Sequence, residues 1–170
     1  MCSSDLEEIN NLPLDDLKKQ LFNCCGSTTW VNKMLPFFPI HSKNAAFTIA
    51  QQQWYTCTTA DWLQAFSHHP KIGDVTSLTK KFAATATWAS GEQQAVHRAS
   101  TAIIQALADG NTAYEKKFGF IFIVCATGKS AEQMLALLQQ RLPNTLDTEI
   151  QNAMEEQLKI TILRLQKLLA

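Results

Sequence analysis

Four histidines occur in the chain, and His69 has the local sequence best suited to acid–base chemistry. It precedes Pro70, whose ring restricts the preceding residue to extended backbone conformations, and a turn-forming Gly73-Asp74 pair follows. An imidazole fixed in this way at the end of a helix can donate or accept a proton near neutral pH. A histidine that only caps a helix has the same surroundings, so the local pattern leaves a structural and a catalytic role open.

Glu92 and Arg164 are charged residues in positions that allow more than one role. Glu92 follows Ser90, the predicted cap of a helix, where a carboxylate stabilises the positive end of the helix dipole. Arg164 lies in a segment so apolar that its guanidinium is expected to be partly buried, and a buried guanidinium needs an anionic partner. That partner could be Glu92, another carboxylate or a substrate, whereas a side chain that reaches the surface along its own stem needs none.

Several motifs of known chemistry are absent from the sequence. Gly128, Lys129 and Ser130 resemble the end of a phosphate-binding loop, but that loop requires a glycine where this chain has an isoleucine at position 123. No two histidines have the helical spacing of a metal site, and HExxH does not occur. Neither a GxSxG elbow nor a cysteine-nucleophile signature is present. The sequence therefore predicts no metal site and no nucleophilic serine or cysteine.

Composition and charge argue against nucleic acid and membrane partners. Fifteen basic residues balance fifteen acidic ones, and the two lysine pairs lie far apart, so no basic block suits a phosphate backbone. The segment MCSSDLEEIN lacks the basic start and apolar stretch of a signal peptide. The five cysteines are odd in number and show no CxxC spacing, which is typical of reduced thiols. We therefore expect a cytoplasmic protein that binds neither nucleic acid nor a membrane.

Apolar periodicity and end signals predict an all-α fold. Helices are predicted over residues 14–24, 27–35, 42–55, 59–66, 91–108, 130–142 and 146–169. A glycine at position 110 is expected to help end the fifth of these, and the segment PKIGDVTSL is expected to form a turn. The apolar run 120–125 could be a buried strand or an extended connector. A chain of 170 residues that is 46% hydrophobic fits a single-domain helical bundle over residues 1–170.

Four sequence blocks, taken in order, resemble the OHCU decarboxylase family, where OHCU is 2-oxo-4-hydroxy-4-carboxy-5-ureidoimidazoline. The blocks are SHHPKIGD, WASGEQQAV, NTAYEKKFGFIFIVCATGKS and RLPNTLDTEIQNAMEEQLKITILRL. They are similar to the family's HPxLG or HPxIG motif, its SxxEQ motif, its YxxxFGFxF motif and its final KIxxxRL motif. The four blocks together span most of the chain and are far more specific than any one of them.

The resemblance implies a fold, an activity and a set of site residues. It implies an all-helical, homodimeric, cofactor-free enzyme that decarboxylates OHCU to (S)-allantoin in urate breakdown. The implied catalytic residues are His69 as acid or base, Glu92 for ring orientation and proton delivery, and Arg164 for orienting the anionic end of the substrate. The implied substrate contacts are Pro70, Ala89, Ser90, Gln93, Phe122, Ile123, Val124, Cys125 and Ala126.

One departure from the family pattern keeps alternatives open. The serine that usually stands three residues before the glutamate is Ala89 here, with Ser90 one position later. A related decarboxylase acting on another ureido acid is one alternative, and a non-enzymatic helical interaction domain is another. The enzyme hypotheses expect His69, Glu92 and Arg164 to meet in one pocket, whereas the interaction domain expects them to point to separate places.

Overall fold

The described part of the chain is helical. The computed structural model describes residues 5–70, 74–83 and 93–170, without the side chains of residues 83 and 93–99. Over these ranges no strand is present, which confirms the predicted all-α class. The described residues form a 3-10 turn at Leu35–Phe37 and nine α-helices: α1 Asp5–Asn10, α2 Leu14–Cys24, α3 Thr28–Met34, α4 Lys43–Tyr55, α5 Thr59–Ser67, α6 Val75–Ala83, α7 Gln93–Phe118, α8 Ala131–Arg141 and α9 Leu146–Leu168.

Side-chain caps fix the starts of four helices close to the predicted positions. Ser27 accepts a hydrogen bond from the Trp30 amide, and Ser42 accepts one from the Ala45 amide. Reciprocal capping boxes open α5 and α8, where Thr58 pairs with Asp61 and Ser130 pairs with Gln133. Each cap satisfies amide groups that a helix leaves without an internal partner at its first turn.

The chain divides into two compact units. The first comprises Met1–His69 and Ile150–Ala170, and the second comprises Pro70–Glu149. In the first unit, indole groups tie the helices together: the Trp54 Nε1 donates to the Met154 carbonyl at 3.0 Å, and so joins α4 to α9. The single domain expected over residues 1–170 stays a prediction.

The prediction for the long central helix is wrong at its C-terminal end. Its predicted start at Ser90 lies outside the described residues, but α7 runs on through Gly110 to Phe118 instead of stopping. A Cβ built on Gly110 would lie 2.5 Å from the Leu138 Cδ2 of α8. This glycine therefore allows α7 and α8 to approach closely, and the continued helix buries Tyr114 completely.

The structure corrects the expectation for one further segment and decides between two alternatives for another. The expected turn PKIGDVTSL is wrong in its second half, because α6 begins at Val75 with the Asp74 carboxylate accepting a hydrogen bond from the Ser77 amide at 2.6 Å. An aspartate that suggested a turn is thus a helix cap. Residues 120–125 form neither a strand nor a helix, so this apolar run is a connector that begins in a bend at Phe120.

The helices also bear on membrane insertion. Within the described ranges, none of them combines the length and the apolar character that crossing a bilayer requires.

Candidate active site

His69 lies just beyond the C-terminus of α5. Its backbone amide donates to the Phe66 carbonyl at 3.4 Å, and the His68 amide donates to the Ala65 carbonyl at 3.2 Å, so both histidines continue the last turn of the helix. His68 is an exposed residue, and its ring packs against the Phe22 ring in a T-shaped arrangement with 4.8 Å between the ring centroids. His68 therefore anchors the turn, while His69 is half-buried and turned to a different set of partners.

Gly26 allows this turn to sit against the loop between α2 and α3. A Cβ built on Gly26 would lie 2.6 Å from the His68 Cβ and 2.9 Å from its Cγ. Real Cβ atoms do not approach each other so closely, so any side chain at position 26 would push His68 away. The absence of a side chain at Gly26 thus helps to set the position of His69.

The His69 imidazole is hydrogen-bonded to α9. Its Nε2 meets the Oε1 of Gln157, whose side chain is fully buried. The Gln157 Nε2 in turn donates to the Thr161 Oγ1 at 3.0 Å. Gln157 and Thr161 are four residues apart and share one face of the helix, so α9 presents a continuous polar chain to His69.

Burial is the main influence on the protonation of His69. Loss of solvent lowers the pKa of the imidazole below its usual 6.5, and the charges of Arg164 and His68 lower it further, while the hydrogen bond to Gln157 opposes the change. His69 is therefore neutral at pH 7 and able to accept a proton. The influence of Arg164 also means that these two residues, 95 positions apart in sequence, lie within electrostatic reach of each other.

Arg164 is half-buried and held by neutral groups. Its Nη1 donates to the backbone carbonyls of Asn23 and Cys24, each at 3.4 Å. These carbonyls orient the guanidinium at the end of α2 but carry no formal charge. No carboxylate of the described residues forms a salt bridge with Arg164, so within this part of the chain its positive charge is available to a bound anion.

Two buried thiols line the same part of the first unit. Burial raises the pKa of Cys24 to about 11, against the opposing effect of Arg164. Burial raises the pKa of Cys25 to about 12, although a hydrogen bond from Thr161 stabilises its thiolate. Both thiols are protonated at neutral pH and are poor nucleophiles.

The second unit contains a different buried polar cluster. Arg141 donates from Nε to the Glu149 Oε2 at 2.8 Å and from Nη2 to the Tyr114 hydroxyl at 3.2 Å. The Tyr114 hydroxyl donates to the same Glu149 oxygen at 2.5 Å, and the Asn144 amide donates to the other at 2.8 Å. Burial and the neighbouring carboxylate raise the pKa of Tyr114, so the phenol keeps its proton.

This cluster holds the connector 120–125. The Arg141 Nη1 donates to the Ile123 carbonyl at 2.6 Å, and its guanidinium lies 4.7 Å from the centroid of the Phe122 ring. Ile123 and Cys125 are buried, whereas Phe122, Val124 and Ala126 are partly exposed. Such an alternation of buried and exposed side chains is typical of an extended backbone. The hydrogen bond from Arg141 to the Ile123 carbonyl helps to keep the Ile123 and Cys125 side chains buried.

The family of the chain follows from comparison with known proteins. The model of the family described as OHCU decarboxylase matches residues 10–166. The chain belongs to the OHCU decarboxylase family. It is 40% identical over 148 residues to the uric acid degradation bifunctional protein TTL of Arabidopsis thaliana, covering 85% of this chain and 45% of that protein. It is 25% identical over 164 residues to the 2-oxo-4-hydroxy-4-carboxy-5-ureidoimidazoline decarboxylase of Haloferax volcanii, covering 94% of this chain and 93% of that one.

The chain thus spans less than half of the Arabidopsis relative, and 32% of a bifunctional relative from Bacillus sp. strain TB-90. A crystal structure of an OHCU decarboxylase in the presence of (S)-allantoin has a TM-score of 0.71 and 36% identity, covering 88% of this chain and 96% of that one. A crystal structure of (S)-allantoin synthase, 15% identical with a TM-score of 0.69, covers 96% of this chain and 54% of that one and shows the fold alone. The predicted membership and helical fold are confirmed.

Within this OHCU decarboxylase family member, the described residues test the predicted site only in part. His69 and Arg164 come together in the first unit. Glu92, Ala89 and Ser90 lie outside the described residues, as does the side chain of Gln93. The connector with Phe122, Ile123, Val124, Cys125 and Ala126 belongs to the second unit, as does Pro70. The contacts of these residues with a substrate stay predictions.

Sequence reasoning missed the polar residues that support the site. Gln157 and Thr161 lie in a stripe of α9 whose other buried members include Ala153, Met154 and Leu158. Two polar side chains four residues apart in a buried stripe indicate that each has a buried hydrogen-bond partner, and this signal could have found them.

In the part of the chain that the structure describes, no group of three or more His, Cys, Asp or Glu side chains is arranged to hold a metal ion.

Proposed function

We propose that this protein decarboxylates OHCU to (S)-allantoin. The observation that carries the proposal is the pairing, within one unit of an OHCU decarboxylase family chain, of a neutral His69 with an Arg164 whose hydrogen bonds go to neutral carbonyls. One group can take a proton, and the other can attract an anion. These are the two properties that the decarboxylation of a carboxylate-bearing ring requires.

The substrate supplies the electron sink for this reaction. When carbon dioxide leaves, the bond between the carboxylate carbon and the ring carbon breaks, and its electron pair stays with the ring. The adjoining carbon–nitrogen double bond accepts this pair, which leaves a double bond between two ring carbons. The ring nitrogen that receives the electron pair gains a proton, the ring hydroxyl loses one, and the carbon that bears the ureido group gains one. The net uptake of one proton gives neutral allantoin and sets its stereocentre.

Each side chain has a role in this proposal. His69 acts as acid or base at the hydroxyl or carboxylate, because a neutral imidazole near pH 7 can take and return a proton. Arg164 holds the anionic end of the substrate, since a guanidinium offers several donors in a fixed plane. Glu92 and Gln93 orient the ring and deliver the proton to one face. Pro70, the Ala89-Ser90 pair and the connector 122–126 complete the substrate contacts.

Optical activity tests the proposed activity. The purified protein is mixed with freshly made product of urate oxidation, and the enantiomers of allantoin are separated on a chiral column. We expect a large excess of (S)-allantoin, whereas spontaneous decay gives the racemate. Racemic product formed at the spontaneous rate would contradict the proposal and favour a non-enzymatic role.

The same preparation tests the choice of substrate. Ala89 stands where the family usually has serine, which favours a related ureido acid as the second candidate. Faster turnover of such an acid than of OHCU would support that candidate.

We also propose a homodimer located in the cytoplasm, on the basis of the family resemblance. Light scattering coupled to size-exclusion chromatography should give twice the mass of one chain. A mass equal to one chain would contradict the dimer.

A further inference from the structure

We propose that Gln157 is a positioning residue that fixes the orientation and tautomer of His69, so that Nε2 carries the proton and Nδ1 is the nitrogen that exchanges protons with the substrate. The catalytic part of this inference rests on the proposed decarboxylation. The structural part, which concerns the tautomer, stands on the contacts of His69 alone.

The direction of the hydrogen-bond chain leads to this assignment. The Gln157 amide has an acceptor end and a donor end, and it is fully buried between two polar partners. Its nitrogen donates to the Thr161 Oγ1 at 3.0 Å, so its oxygen faces the His69 Nε2. An oxygen can only accept, and therefore the His69 Nε2 must carry a hydrogen.

The far end of the chain agrees with this direction. The Thr161 hydroxyl acts on the neighbouring Cys25 thiol and lowers its pKa, which is the effect of a hydroxyl whose hydrogen points toward the sulfur. A hydroxyl that donates to sulfur has its oxygen lone pairs free to accept from the Gln157 amide. If the amide were reversed, its nitrogen would meet the imidazole and its oxygen would need the Thr161 hydrogen, which would deprive Cys25 of its donor.

Fixing one nitrogen leaves the other to react. Because the Gln157 oxygen can accept from Nε2 in both charge states of the imidazole, titration takes place at Nδ1. Among the described residues, the charged or titratable groups that act on His69 are Arg164 on α9 and the neighbouring His68, and both disfavour the cation. Gln157 thus holds the ring in place without locking it in the charged form.

Nitrogen NMR tests the tautomer independently of any activity. Long-range proton–nitrogen correlation spectra of the labelled protein above pH 7 distinguish the two neutral tautomers, and the His69 signal is assigned by its loss in His69→Asn. We expect the Nε2–H tautomer in the wild type and a mixture of tautomers in Gln157→Leu. A wild-type Nδ1–H tautomer would overturn the proposal.

The pH dependence of turnover tests the same contact in two directions. In Gln157→Glu a carboxylate replaces the amide and favours the imidazolium, so the acid limb of kcat/KM should move up by about 1 to 3 pH units. In Gln157→Leu the acceptor is lost, so the limb should move down, and kcat should fall by more than KM changes. Gln157→Glu keeps the size of the side chain and carries the test if Gln157→Leu does not fold.

Gln151→Leu is the matched control, since it makes the same change at an exposed position of the same helix. It should leave the tautomer, kcat and the acid limb unchanged. An unchanged acid limb in Gln157→Glu, together with an unchanged tautomer in Gln157→Leu, would overturn the positioning role while leaving the proposed function standing. The expected tautomers in a protein that does not turn over OHCU would leave the positioning role standing and overturn the proposed function.

Discussion

Each of the two units buries a network of hydrogen-bonded polar side chains. One network contains an ion pair, whereas the other is neutral and leads to a titratable imidazole. The open network is His69, Gln157, Thr161 and Cys25 in the first unit; it is built from neutral groups and ends at a half-buried imidazole. The closed network is Arg141, Glu149, Tyr114 and Asn144 in the second unit. It is built around a buried ion pair between Arg141 and Glu149, and these four side chains hydrogen-bond to one another.

This difference in charge indicates that one network stabilises the fold and that the other serves the proposed chemistry. A buried ion pair is strongly destabilising when one partner is removed, because the other charge is left without compensation. A neutral chain that ends at a half-buried titratable group carries no permanent charge, and the protonation of that group can change while the rest of the chain keeps its hydrogen bonds. The closed network therefore suits the task of holding the connector 120–125, and the open network suits the task of presenting an imidazole that gains and loses a proton.

Arg141→Ala should give the largest effect on stability. It leaves the Glu149 carboxylate buried without its cation, which costs about 3–5 kcal/mol of unfolding free energy. Urea denaturation followed by circular dichroism measures this loss. Lys159→Ala is the matched control, because it removes the exposed cation of an ion pair with Glu156 and should cost less than about 1 kcal/mol. Equal losses in the two variants would remove the distinction between the closed network and an ordinary surface pair.

Gly26→Ala should perturb the open network through its support. The added methyl group would lie 2.6 Å from the His68 Cβ, so the turn that carries His69 has to move. We expect kcat to fall on the order of tenfold to a hundredfold, as misplacement of a reacting group commonly causes. Steady-state kinetics measures this change, and the His69 nitrogen signals report whether the ring has moved. An unchanged kcat would show that the loop does not position His69.

The smallest predicted effect is a pH dependence of stability below pH 6.5, which arises from His69 in the open network. The pKa of His69 is lower in the folded protein than its usual 6.5, so the unfolded chain binds more protons between these two values. The stabilisation is complete above pH 6.5 and is lost as the pH falls toward the folded pKa, with a slope below about 1.4 kcal/mol per pH unit.

Comparing wild type with His69→Asn isolates this slope. The difference between their unfolding free energies should shrink as the pH is lowered through this window. A difference that stays constant would mean that the pKa of His69 is not lowered by folding.

Much of the fold was predictable from sequence because local signals fixed it. The helix starts at Ser27, Ser42 and Ser130 follow from caps that act within one turn. The predicted end of the central helix near Gly110 was wrong because this glycine allows close packing against Leu138, a residue of another helix. Local sequence does not encode that close approach.

The candidate site was predictable to the extent that its residues belong to sequence blocks. Local surroundings made His69 and Arg164 candidates, and the HPxIG and KIxxxRL patterns then implied their roles, which stay predictions. Gln157 was missed because its importance comes from a partner 88 residues away. The direction of its hydrogen bond, and with it the proposed tautomer of His69, depends on the contact between the turn after α5 and α9.

The most direct test of the account is the chiral allantoin assay carried out on wild type and His69→Asn side by side, with circular dichroism showing that both are folded. We predict that the wild type gives predominantly (S)-allantoin, and that His69→Asn loses about a hundredfold to ten-thousandfold of the rate and gives product close to the racemate. Rapid formation of (S)-allantoin by folded His69→Asn would contradict the account.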